Sequence, residues 1–380
     1  MGTTQKNVFI VAGEASGDMH AAHLVEILKK LDPELHFSGL GGKKMKEAGV
    51  ELFDDLTRFA VVGFTEVLKH YGSFKKIFDA FLAKVRAAKP DAVILVDYPG
   101  FNLRLAKELK KLNTKVIYYI SPQVWAWKEN RVSLIKSSVD RMIVLFPFEK
   151  EFYARHGLDV FWSGHPLMDE KKILRTKEKF LESLGLSDYK LTIALLPGSR
   201  EGEVKRHLPV MIKTAELLNR EFPMIQYLLV KAPTINDQLI KKYLPENFQQ
   251  IKIVDGNSYD GLNAANLAVV ASGTATLETA LLEKPMVVIY KTSFLTWLLA
   301  RSFIKIPYIG LVNVVAGEKI VPECIQFDAT PLRIAEELKN IFTNEPRLAN
   351  IKDALKKVKD SLGPPGASER AAKEVLKVIS

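Results

Sequence analysis

Cysteine is nearly absent from this chain of 380 residues, which holds Cys324 alone. A single cysteine excludes an intramolecular disulfide and any cysteine-rich zinc site, so we expect Cys324 to be a core or surface thiol. The seven histidines show no metal-ligand spacing, and no D-x-D pattern occurs in the sequence. These absences predict that the protein holds no metal ion.

Long apolar runs are also missing. No stretch approaches the roughly 18 uncharged apolar residues of a membrane-spanning helix, and the polar start, Met1 to Lys6, does not have the form of a signal peptide. We therefore expect a cytoplasmic protein, or one that is peripheral on a membrane. The formal net charge of +10 favours anionic lipid or phosphorylated metabolites as partners. The Lys and Arg residues are scattered, without a zinc finger or RNP motif, which argues against nucleic acid.

Cofactor fingerprints are missing as well. The loop at residues 13–18 lacks the spacing of a G-x-G-x-x-G dinucleotide motif, and no P-loop lysine is present. We predict no cofactor. The missing D-x-D also argues against a nucleotide-sugar site in which a metal bridges the diphosphate.

What the chain does contain is a regular alternation of apolar runs and amphipathic stretches, typical of parallel sheets covered on both faces by helices. Strands are predicted at residues 8–12, 92–96, 116–120, 142–145, 191–196, 227–230, 251–254, 267–271 and 286–290. Helices are predicted at residues 19–31, 208–222 and 275–282, with charged helix-forming sequence at 170–184. The length exceeds one ordinary core. We predict an α/β protein of two Rossmann-like domains, residues 1–166 and 167–380, with ligands bound in an inter-domain cleft beyond the carboxyl ends of the strands.

Two small-residue turns in the second half each follow a strand and precede a helix. Backbone N–H groups and a helix N-terminus at such a turn bind anions, and the planar cation of Arg200 suits phosphate. Together the turns predict a nucleoside-diphosphate site, although each alone is equally well an ordinary strand-to-helix turn. Their residues are Gly198, Ser199, Arg200, Ser272, Gly273 and Thr274.

Asp97 ends an apolar strand at the edge where open parallel sheets bind ligands. Partial removal from water raises the proton affinity of a carboxylate there and suits it to general-base catalysis. The alternative is a turn or capping residue ahead of Tyr98, and the residues alone leave both interpretations open.

Other candidates lie in neighbouring loops. The carboxylates of Glu14 and Asp18 suit sugar hydroxyls, although Asp18 is more simply the cap of the helix that follows it. Trp125 and Trp127 either line a sugar or acyl site or pack in the core, and a core position is favoured for at least one. Glu278 either reaches a ribose diol or is simply an acid near a helix N-terminus.

Two segments, residues 61–85 and 294–309, combine aromatic and basic residues. This combination suits a lipid interface. A core helix with a solvated basic face explains each segment equally well. The tail, residues 331–380, is predicted to be helical with a break at 363–366, and it either returns to the first domain or exchanges with a partner in a homodimer.

Eight stretches of the chain, taken in order, resemble the lipid-A-disaccharide synthase family. They are VAGEASGD (11–18), VDYPGFN (96–102), SPQVWAW (121–127), FPFEKEFY (146–153), GHPLMD (164–169), LLPGSR (195–200), ASGTATLE (271–278) and PMVVIYK (285–291). They follow the family's order and extend over nearly the whole chain, so together they are highly specific. The resemblance implies a metal-independent, inverting glycosyltransferase of the two-Rossmann-domain, GT-B type.

The resemblance also implies a reaction. Members of the family transfer 2,3-diacylglucosamine from UDP-2,3-diacylglucosamine to 2,3-diacylglucosamine 1-phosphate (lipid X), which forms a β(1→6) disaccharide 1-phosphate and UDP. They act at the cytoplasmic face of the inner membrane of Gram-negative bacteria, in lipid A assembly.

Roles follow from the same resemblance. Asp97 is implied as the general base on the acceptor 6-hydroxyl, and Arg200 as the group that compensates charge on the departing diphosphate. The residues implied at the donor are Gly198, Ser199, Ser272, Gly273, Thr274, Glu278 and Asn313. The residues implied at the acceptor are Glu14, Ser16 and Asn102.

Two other kinds of function stay open at this point. One is another enzyme of the same fold, such as a UDP-sugar 2-epimerase or a glycosyltransferase with a different lipid acceptor. The other is a non-catalytic lipid or nucleotide binder, which the acid, the arginine and the glycine turns argue against.

Overall fold

The computed structural model describes residues 6–59, 71–169, 173–244, 250–294, 297–298 and 306–380. The chain divides into two compact units. Unit 1 is Met1–Asp169 with Leu362–Ser380, and unit 2 is Glu170–Ser361. The sequence predicted a boundary after residue 166 and left open whether the helical tail returns to the first domain or exchanges with a partner. Here Leu362–Ser380 belongs to unit 1.

Unit 1 is built on a parallel sheet in the order β3-β2-β1-β4-β5-β6-β7. The strands are β1 Lys6–Ala12, β2 Leu35–Gly41, β3 Glu51–Asp55, β4 Ala92–Val96, β5 Val116–Tyr119, β6 Arg141–Val144 and β7 Phe161–Trp162. The α-helices are Ala15–Leu31, Lys43–Glu47, Tyr71–Ala88, Pro99–Lys111, Val132–Ser138, Pro147–Arg155 and Ala367–Ile379, with 3-10 turns at Thr57–Phe59, Glu129–Arg131 and Pro166–Met168.

Unit 2 contains a second parallel sheet, in the order β10-β9-β8-β11-β12-β13. The strands are β8 Thr192–Leu196, β9 Gln226–Lys231, β10 Ile251–Asp255, β11 Leu267–Ala271, β12 Met286–Tyr290 and β13 Glu323–Ile325. The α-helices are Lys177–Ser183, Glu201–Glu221, Asp237–Lys241, Ser258–Ala264, Ala275–Leu281, Leu311–Ala316, Pro331–Phe342 and Glu345–Ser361. The prediction of an α/β protein with two Rossmann-like sheets is confirmed.

The central strands follow from the apolar runs, because strands covered on both faces bury every side chain. All residues of β4, β8 and β11 are buried. The sequence missed β2, β3, β7 and β13. The apolar runs in these strands are shorter, or are interrupted by polar residues or glycine. In addition, β3 and β13 are edge strands with partly exposed residues.

Several predicted helix starts were wrong. The first helix begins at Ala15 rather than at residue 19, and the long helix of unit 2 begins at Glu201 rather than at residue 208. Both first turns hold few apolar residues, so the hydrophobic period begins late. Asp18 does not cap the helix that contains it. Its Oδ1 accepts the Gly42 N–H at 2.7 Å and its Oδ2 accepts the Lys44 N–H at 2.9 Å, so Asp18 caps the short helix Lys43–Glu47.

The C-terminal helix Ala367–Ile379 packs on the helix Ala15–Leu31 within unit 1. The carboxylate of Asp169 accepts the N–H groups of Gly366, Ala367 and Ser368 at 2.6, 2.9 and 2.8 Å. A carboxylate at a helix N-terminus satisfies N–H groups that have no partner inside the helix. Asp169 therefore fixes the start of the tail helix to the end of the main part of unit 1.

The two aromatic-basic segments lie partly outside the described residues, which omit 60–70, 295–296 and 299–305. In the described part of the first segment, Ile77 and Phe81 are buried in the core, while Lys75, Lys76 and Lys84 are exposed. Among the described residues, no helix is long and apolar enough to cross a membrane.

Candidate functional site

Asp97 lies directly after β4 in a backbone conformation that side chains disfavour. Its φ is +45°, and that of Tyr98 is +48°. Two consecutive non-glycine residues in the left-handed region cost free energy, and such strain is found preferentially at functional sites. Ile120, at the end of the neighbouring strand β5, also has a positive φ, +65°. The carboxyl edge of β4 and β5 is therefore the strained part of unit 1.

Asn102 holds this strained turn. Its side chain is fully buried, and its Nδ2 donates to the backbone oxygens of Val96 at 3.1 Å and of Asp97 at 2.8 Å. The hydroxyl of Tyr118 also donates to the Asp97 oxygen, at 2.6 Å. Asn102 therefore contacts the backbone of the candidate base rather than an open surface.

Gly13 provides the space that Tyr98 occupies. A Cβ at residue 13 would lie 2.1 Å from Tyr98 Cδ1, a distance that requires movement of the ring. The glycine of VAGEASGD is thus explained by its contact with the strained turn after β4.

The pKa of the Asp97 carboxyl group lies close to neutral pH. Burial, together with the negative charge of Glu14, raises the pKa of Asp97 to about 7, against the opposing effect of the Tyr98 N–H. Glu14 is the residue before the helix Ala15–Leu31, where β1 ends beside β4. Two of the predicted site residues, Asp97 and Glu14, are thus electrostatically coupled. Ser16 lies on the exposed first turn of the same helix.

A cavity of about 210 Å³ opens next to Asp97. It is lined by Asp97, Pro99, Ile120, Ser121, Gln123, Trp127, Leu145, Phe146 and Glu149, all in unit 1. The loops after β4, β5 and β6 and the first turns of the helices that begin at Pro99 and Pro147 supply these residues, as expected for a ligand site in an open parallel sheet.

Glu149, which the sequence analysis did not single out, is the second acid of this cavity. It is 2% exposed, and its Oε2 accepts the N–H groups of Leu145 at 3.1 Å and Phe146 at 3.0 Å. Its Oε1 accepts the indole N–H of Trp125 at 3.2 Å. Burial raises the pKa of Glu149 to about 7, although all these donors favour the charged form. The only sequence signal was an acid within the aromatic stretch 146–153.

The two tryptophans of the loop after β5 have different environments. Trp125 is partly buried, contacts the edge of Phe148 at 5.1 Å between ring centroids, and is fixed by Glu149. Trp127 is 39% exposed and lines the cavity. Trp125 therefore has the structural position that was favoured for one of the pair, and Trp127 lies at the cavity.

In unit 2 the two predicted turns lie side by side, because β8 and β11 are neighbouring parallel strands. Gly198 has a φ of +118°, and a Cβ there would lie 2.5 Å from Glu203 Oε2. Gly273 has a φ of +152°, with open space where a Cβ would be. Both glycines are therefore required by the backbone of their turns.

The N–H groups of the first turn contact a carboxylate of the protein itself. Glu203 Oε2 accepts the N–H groups of Ser199 at 3.1 Å and Arg200 at 3.3 Å, while its Oε1 lies 3.4 Å from Arg200 Nη1. Ser199 and Arg200 are exposed. The turn thus already binds one anionic group through the donors that the sequence analysis assigned to phosphate.

His207 contacts the backbone at the start of the same turn. It is fully buried; its Nδ1 lies 2.9 Å from the Pro197 oxygen, and its Nε2 accepts the Lys291 N–H at 2.9 Å. This pattern requires a neutral ring with its proton on Nδ1. Burial lowers the pKa of His207, which keeps the ring neutral.

Ser272 and Asn313 are connected through the backbone of residues 309–310. Ser272 Oγ donates to the Ile309 oxygen at 2.8 Å, and Glu323 accepts the N–H groups of Ile309 at 3.0 Å and Gly310 at 2.9 Å. The fully buried Asn313 donates to Glu323 at 2.8 Å and accepts two backbone N–H groups with its Oδ1. Asn313 thus braces the segment that holds the second turn.

Thr274 and Glu278 complete the second turn. Thr274 is exposed directly before the helix Ala275–Leu281, and Glu278 is partly buried in its first turn. The negative charge of Glu278 contributes to the raised pKa of Tyr259, behind the larger effect of burial. Among the described residues, no group of three or more His, Cys, Asp or Glu side chains is arranged to hold a metal ion.

The family described as lipid-A-disaccharide synthetase matches residues 8–378. Similar proteins include lipid-A-disaccharide synthase 1 of Legionella pneumophila (strain Philadelphia 1), 47% identical over 93% of each chain. The lipid-A-disaccharide synthase of Syntrophus aciditrophicus is 46% identical over 98% of each chain. That of Geobacter metallireducens is 42% identical and covers 100% of this chain and 99% of its own.

Solved structures with a similar fold have low sequence identity. A putative UDP-N-acetylglucosamine 2-epimerase from Listeria monocytogenes has a TM-score of 0.66 at 14% identity and covers 99% of this chain and 96% of its own. The calicheamicin glycosyltransferase CalG4 has a TM-score of 0.60 at 13% identity and covers 99% of both chains. These similarities show the two-domain fold, which epimerases and glycosyltransferases share. The curated relatives show which family of this fold the chain matches. The chain belongs to the lipid-A-disaccharide synthase family of glycosyltransferases.

Proposed function

We propose that this protein transfers 2,3-diacylglucosamine from UDP-2,3-diacylglucosamine to the 6-hydroxyl of 2,3-diacylglucosamine 1-phosphate. The observation that carries the proposal is the carboxyl group of Asp97, held on a strained turn beside a cavity with its pKa raised to about 7. A general base works best when its pKa lies near the working pH. Family membership supplies the two substrates.

The chemical step is a single displacement. The Asp97 carboxylate takes the proton of the acceptor 6-hydroxyl as its oxygen attacks C1 of the donor sugar. The new C1–O bond forms on the face opposite UDP, and the old bond from C1 to the diphosphate oxygen breaks. UDP leaves with the bonding electron pair, and Arg200 with the N–H groups of its turn stabilises that charge.

Unit 2 is proposed to bind the donor. The neighbouring turns at Gly198–Arg200 and Ser272–Thr274 suit the diphosphate, and the partly buried Glu278 suits the ribose diol. Asn313 contributes by holding residues 309–310, which in turn hold Ser272.

Unit 1 is proposed to bind the acceptor in the cavity beside Asp97. Glu14 and the exposed Ser16 suit its hydroxyl groups. Asn102 contributes by fixing the backbone of Asp97.

We also propose that the protein is peripheral on the cytoplasmic face of the inner membrane, where both lipid substrates are available. The exposed Lys75, Lys76 and Lys84 supply positive charge toward an anionic surface. A homodimer is a further proposal, and sedimentation of the purified protein in detergent tests it.

The reaction is tested by following UDP release with each substrate alone and with both together. The proposal expects UDP only when the lipid acceptor accompanies the donor, with a disaccharide 1-phosphate as the other product. An epimerase would convert the donor sugar without an acceptor, and a binding protein would give no turnover, so either result would overturn the proposal.

Glu149→Gln should lower acceptor turnover by roughly 10-fold without changing UDP affinity, since a charged hydrogen bond contributes about 1.5–3 kcal/mol. The Gln side chain can still accept the Leu145 and Phe146 N–H groups, but its NH₂ group then faces the Trp125 N–H. The loop after β5 loses its connection to the cavity wall. Steady-state kinetics with varied acceptor measure this effect.

Trp125→Phe provides the matched control, because it removes the same hydrogen bond from the other side. If the bond transmits the effect, the double variant Glu149→Gln/Trp125→Phe should lose little more than either single variant. Additive losses, or a loss that appears only in melting temperature, would contradict this role.

Glu203→Gln should strengthen UDP binding, by roughly 3- to 10-fold, because two charges about 4 Å apart repel by about 1–4 kcal/mol in a hydrated site. The variant keeps an oxygen for the Ser199 and Arg200 N–H groups but removes the charge that competes with the diphosphate. Titration calorimetry with UDP measures the change. Weaker binding would instead mean that the charge of Glu203 orders the turn for its ligand.

A further inference from the structure

Two cations lie against the aromatic ring of Trp127 at the cavity beside Asp97. Lys128 Nζ lies 4.4 Å from the ring centroid, and Arg131 Cζ lies 5.9 Å from it. Trp127 itself lines the cavity. Both distances are within the range of cation–π contact, so two positive charges lie at the ring of a residue that lines the candidate site.

The described residues place no carboxylate in an ion pair with either cation, Lys128 or Arg131. The acid between them in sequence, Glu129, contacts His156 at 3.1 Å instead. Burial lowers the pKa of Lys128, and the like charge of Arg131 lowers it further. Two like charges held together near a cavity favour an anionic ligand.

Arg131 also acts electrostatically on a neighbour of the candidate base, Tyr118. Burial raises the pKa of Tyr118, the charge of Asp97 raises it further, and Arg131 opposes that rise. The Tyr118 hydroxyl donates to the Asp97 backbone oxygen at 2.6 Å. Tyr118 thus contacts the backbone of Asp97 and is affected by the charges of both Asp97 and Arg131.

Lys128 is held in place by its backbone as well. Its φ is +68°, in the left-handed region, and it directly precedes the 3-10 turn Glu129–Arg131. The strained residues Asp97, Tyr98, Ile120 and Lys128 thus all belong to the loops around this cavity. Strain of this kind persists only where surrounding contacts enforce it.

We propose that Lys128 and Arg131 bind the phosphate group of the lipid acceptor, with the ring of Trp127 holding Lys128 beside the cavity. The inference rests on the proposed function and extends it to a recognition site for a phosphate monoester. C1 and C5 are both bonded to the ring oxygen of the sugar, so an acceptor whose 6-hydroxyl lies at Asp97 carries its phosphate on the same edge of the ring. The Arg131 guanidinium offers a planar pair of donors to phosphate, and the Lys128 ammonium adds a point charge.

The test crosses enzyme variants with acceptor variants. Wild type, Lys128→Gln, Arg131→Gln and the double variant are assayed with 2,3-diacylglucosamine 1-phosphate and with 2,3-diacylglucosamine, in micelles of a neutral detergent. Wild type should prefer the phosphorylated acceptor in kcat/KM. Each single variant should lose about 10- to 100-fold of that preference, the usual effect of one charged hydrogen bond. UDP affinity should stay unchanged.

A second measurement does not depend on turnover of the dephosphorylated lipid. Glucosamine 1-phosphate should inhibit wild type competitively against the acceptor, whereas glucosamine should inhibit much more weakly. The double variant should not distinguish the two compounds. Lys46→Gln, at an exposed lysine of the helix Lys43–Glu47, is the charge-matched control and should behave as wild type.

The outcomes separate the sources of the phosphate. If the variants keep the preference in micelles but bind vesicles of phosphatidylglycerol less well, the cations serve a lipid headgroup and the proposal is wrong. Equal losses with both acceptors would indicate a general structural role and would also overturn it. If the wild-type protein forms no disaccharide from either acceptor, the proposed function is refuted instead. In that case glucosamine 1-phosphate has no reaction to inhibit.

Discussion

Asp97→Asn is expected to reduce disaccharide formation by about 10²- to 10⁴-fold, the usual contribution of a general base, while UDP binding stays unchanged. The substitution keeps the shape of the side chain and an oxygen that can accept the Tyr98 N–H. It removes only the ability to take a proton. Single-turnover kinetics with both substrates and UDP titration measure the two quantities separately.

The pH dependence provides an independent check on the same carboxyl group. Because the pKa of Asp97 is about 7, the active carboxylate forms as the pH rises through about 7, and turnover of wild type should rise over that range. The residual turnover of Asp97→Asn should show a smaller rise, because Glu149, whose pKa is also about 7, still ionises. A wild-type profile that is flat through neutral pH would contradict the assignment of Asp97 as the base.

The same shift predicts the sign of an effect on stability. The pKa of Asp97 is raised on folding, so the folded state binds more protons than the unfolded state between about pH 4 and about pH 7, and stability falls as the pH rises through this window. The amide group of the Asp97→Asn variant cannot ionise. We therefore expect the variant to melt above wild type at about pH 8 and close to wild type at about pH 4. A lower melting temperature at about pH 8 would mean that the charge stabilises the fold.

The features that sequence predicted best depend on local pattern. The buried central strands are continuous apolar runs, and the bounds of β4, β11 and β12 were predicted to the residue. Those of β1, β5, β8 and β9 differ by one or two residues. The glycine turns after β8 and β11 were visible for the same reason, since glycine between a strand and a helix permits the positive φ that a tight turn requires. Motif order then indicated the family, which the curated relatives confirm.

What sequence did not predict depends on contacts between distant parts of the chain. Asp18 caps a helix more than twenty residues away rather than its own. Glu149 fixes a tryptophan on a different loop, and Asn313 braces backbone near the second turn. In each case the residue type was visible but its partner was not, because a polar side chain does not reveal which backbone groups the fold will bring to it.

Arg200→Ala is the second variant with a large expected effect. Arg200 is an exposed residue at the start of the helix Glu201–Glu221, and its Nη1 lies 3.4 Å from Glu203 Oε1. Removing a cation that stabilises developing charge on a leaving group costs about 10²- to 10³-fold in kcat. The loss in UDP affinity should be smaller, since bound UDP retains the backbone donors of the turn. The folded state should be little affected, because exposed ion pairs contribute about 0–1 kcal/mol to stability.

Arg200→Lys separates charge from geometry. A lysine restores the positive charge but not the planar pair of donors, so UDP affinity should recover more than kcat. Arg220→Ala, at an exposed position near the other end of the same helix, is the matched control and should match wild type in both quantities. If Arg200→Ala binds UDP and turns over as wild type does, the first turn of unit 2 does not hold the diphosphate. The donor would then have to be sought at the neighbouring turn after β11, where Ser272 and Thr274 carry small polar side chains.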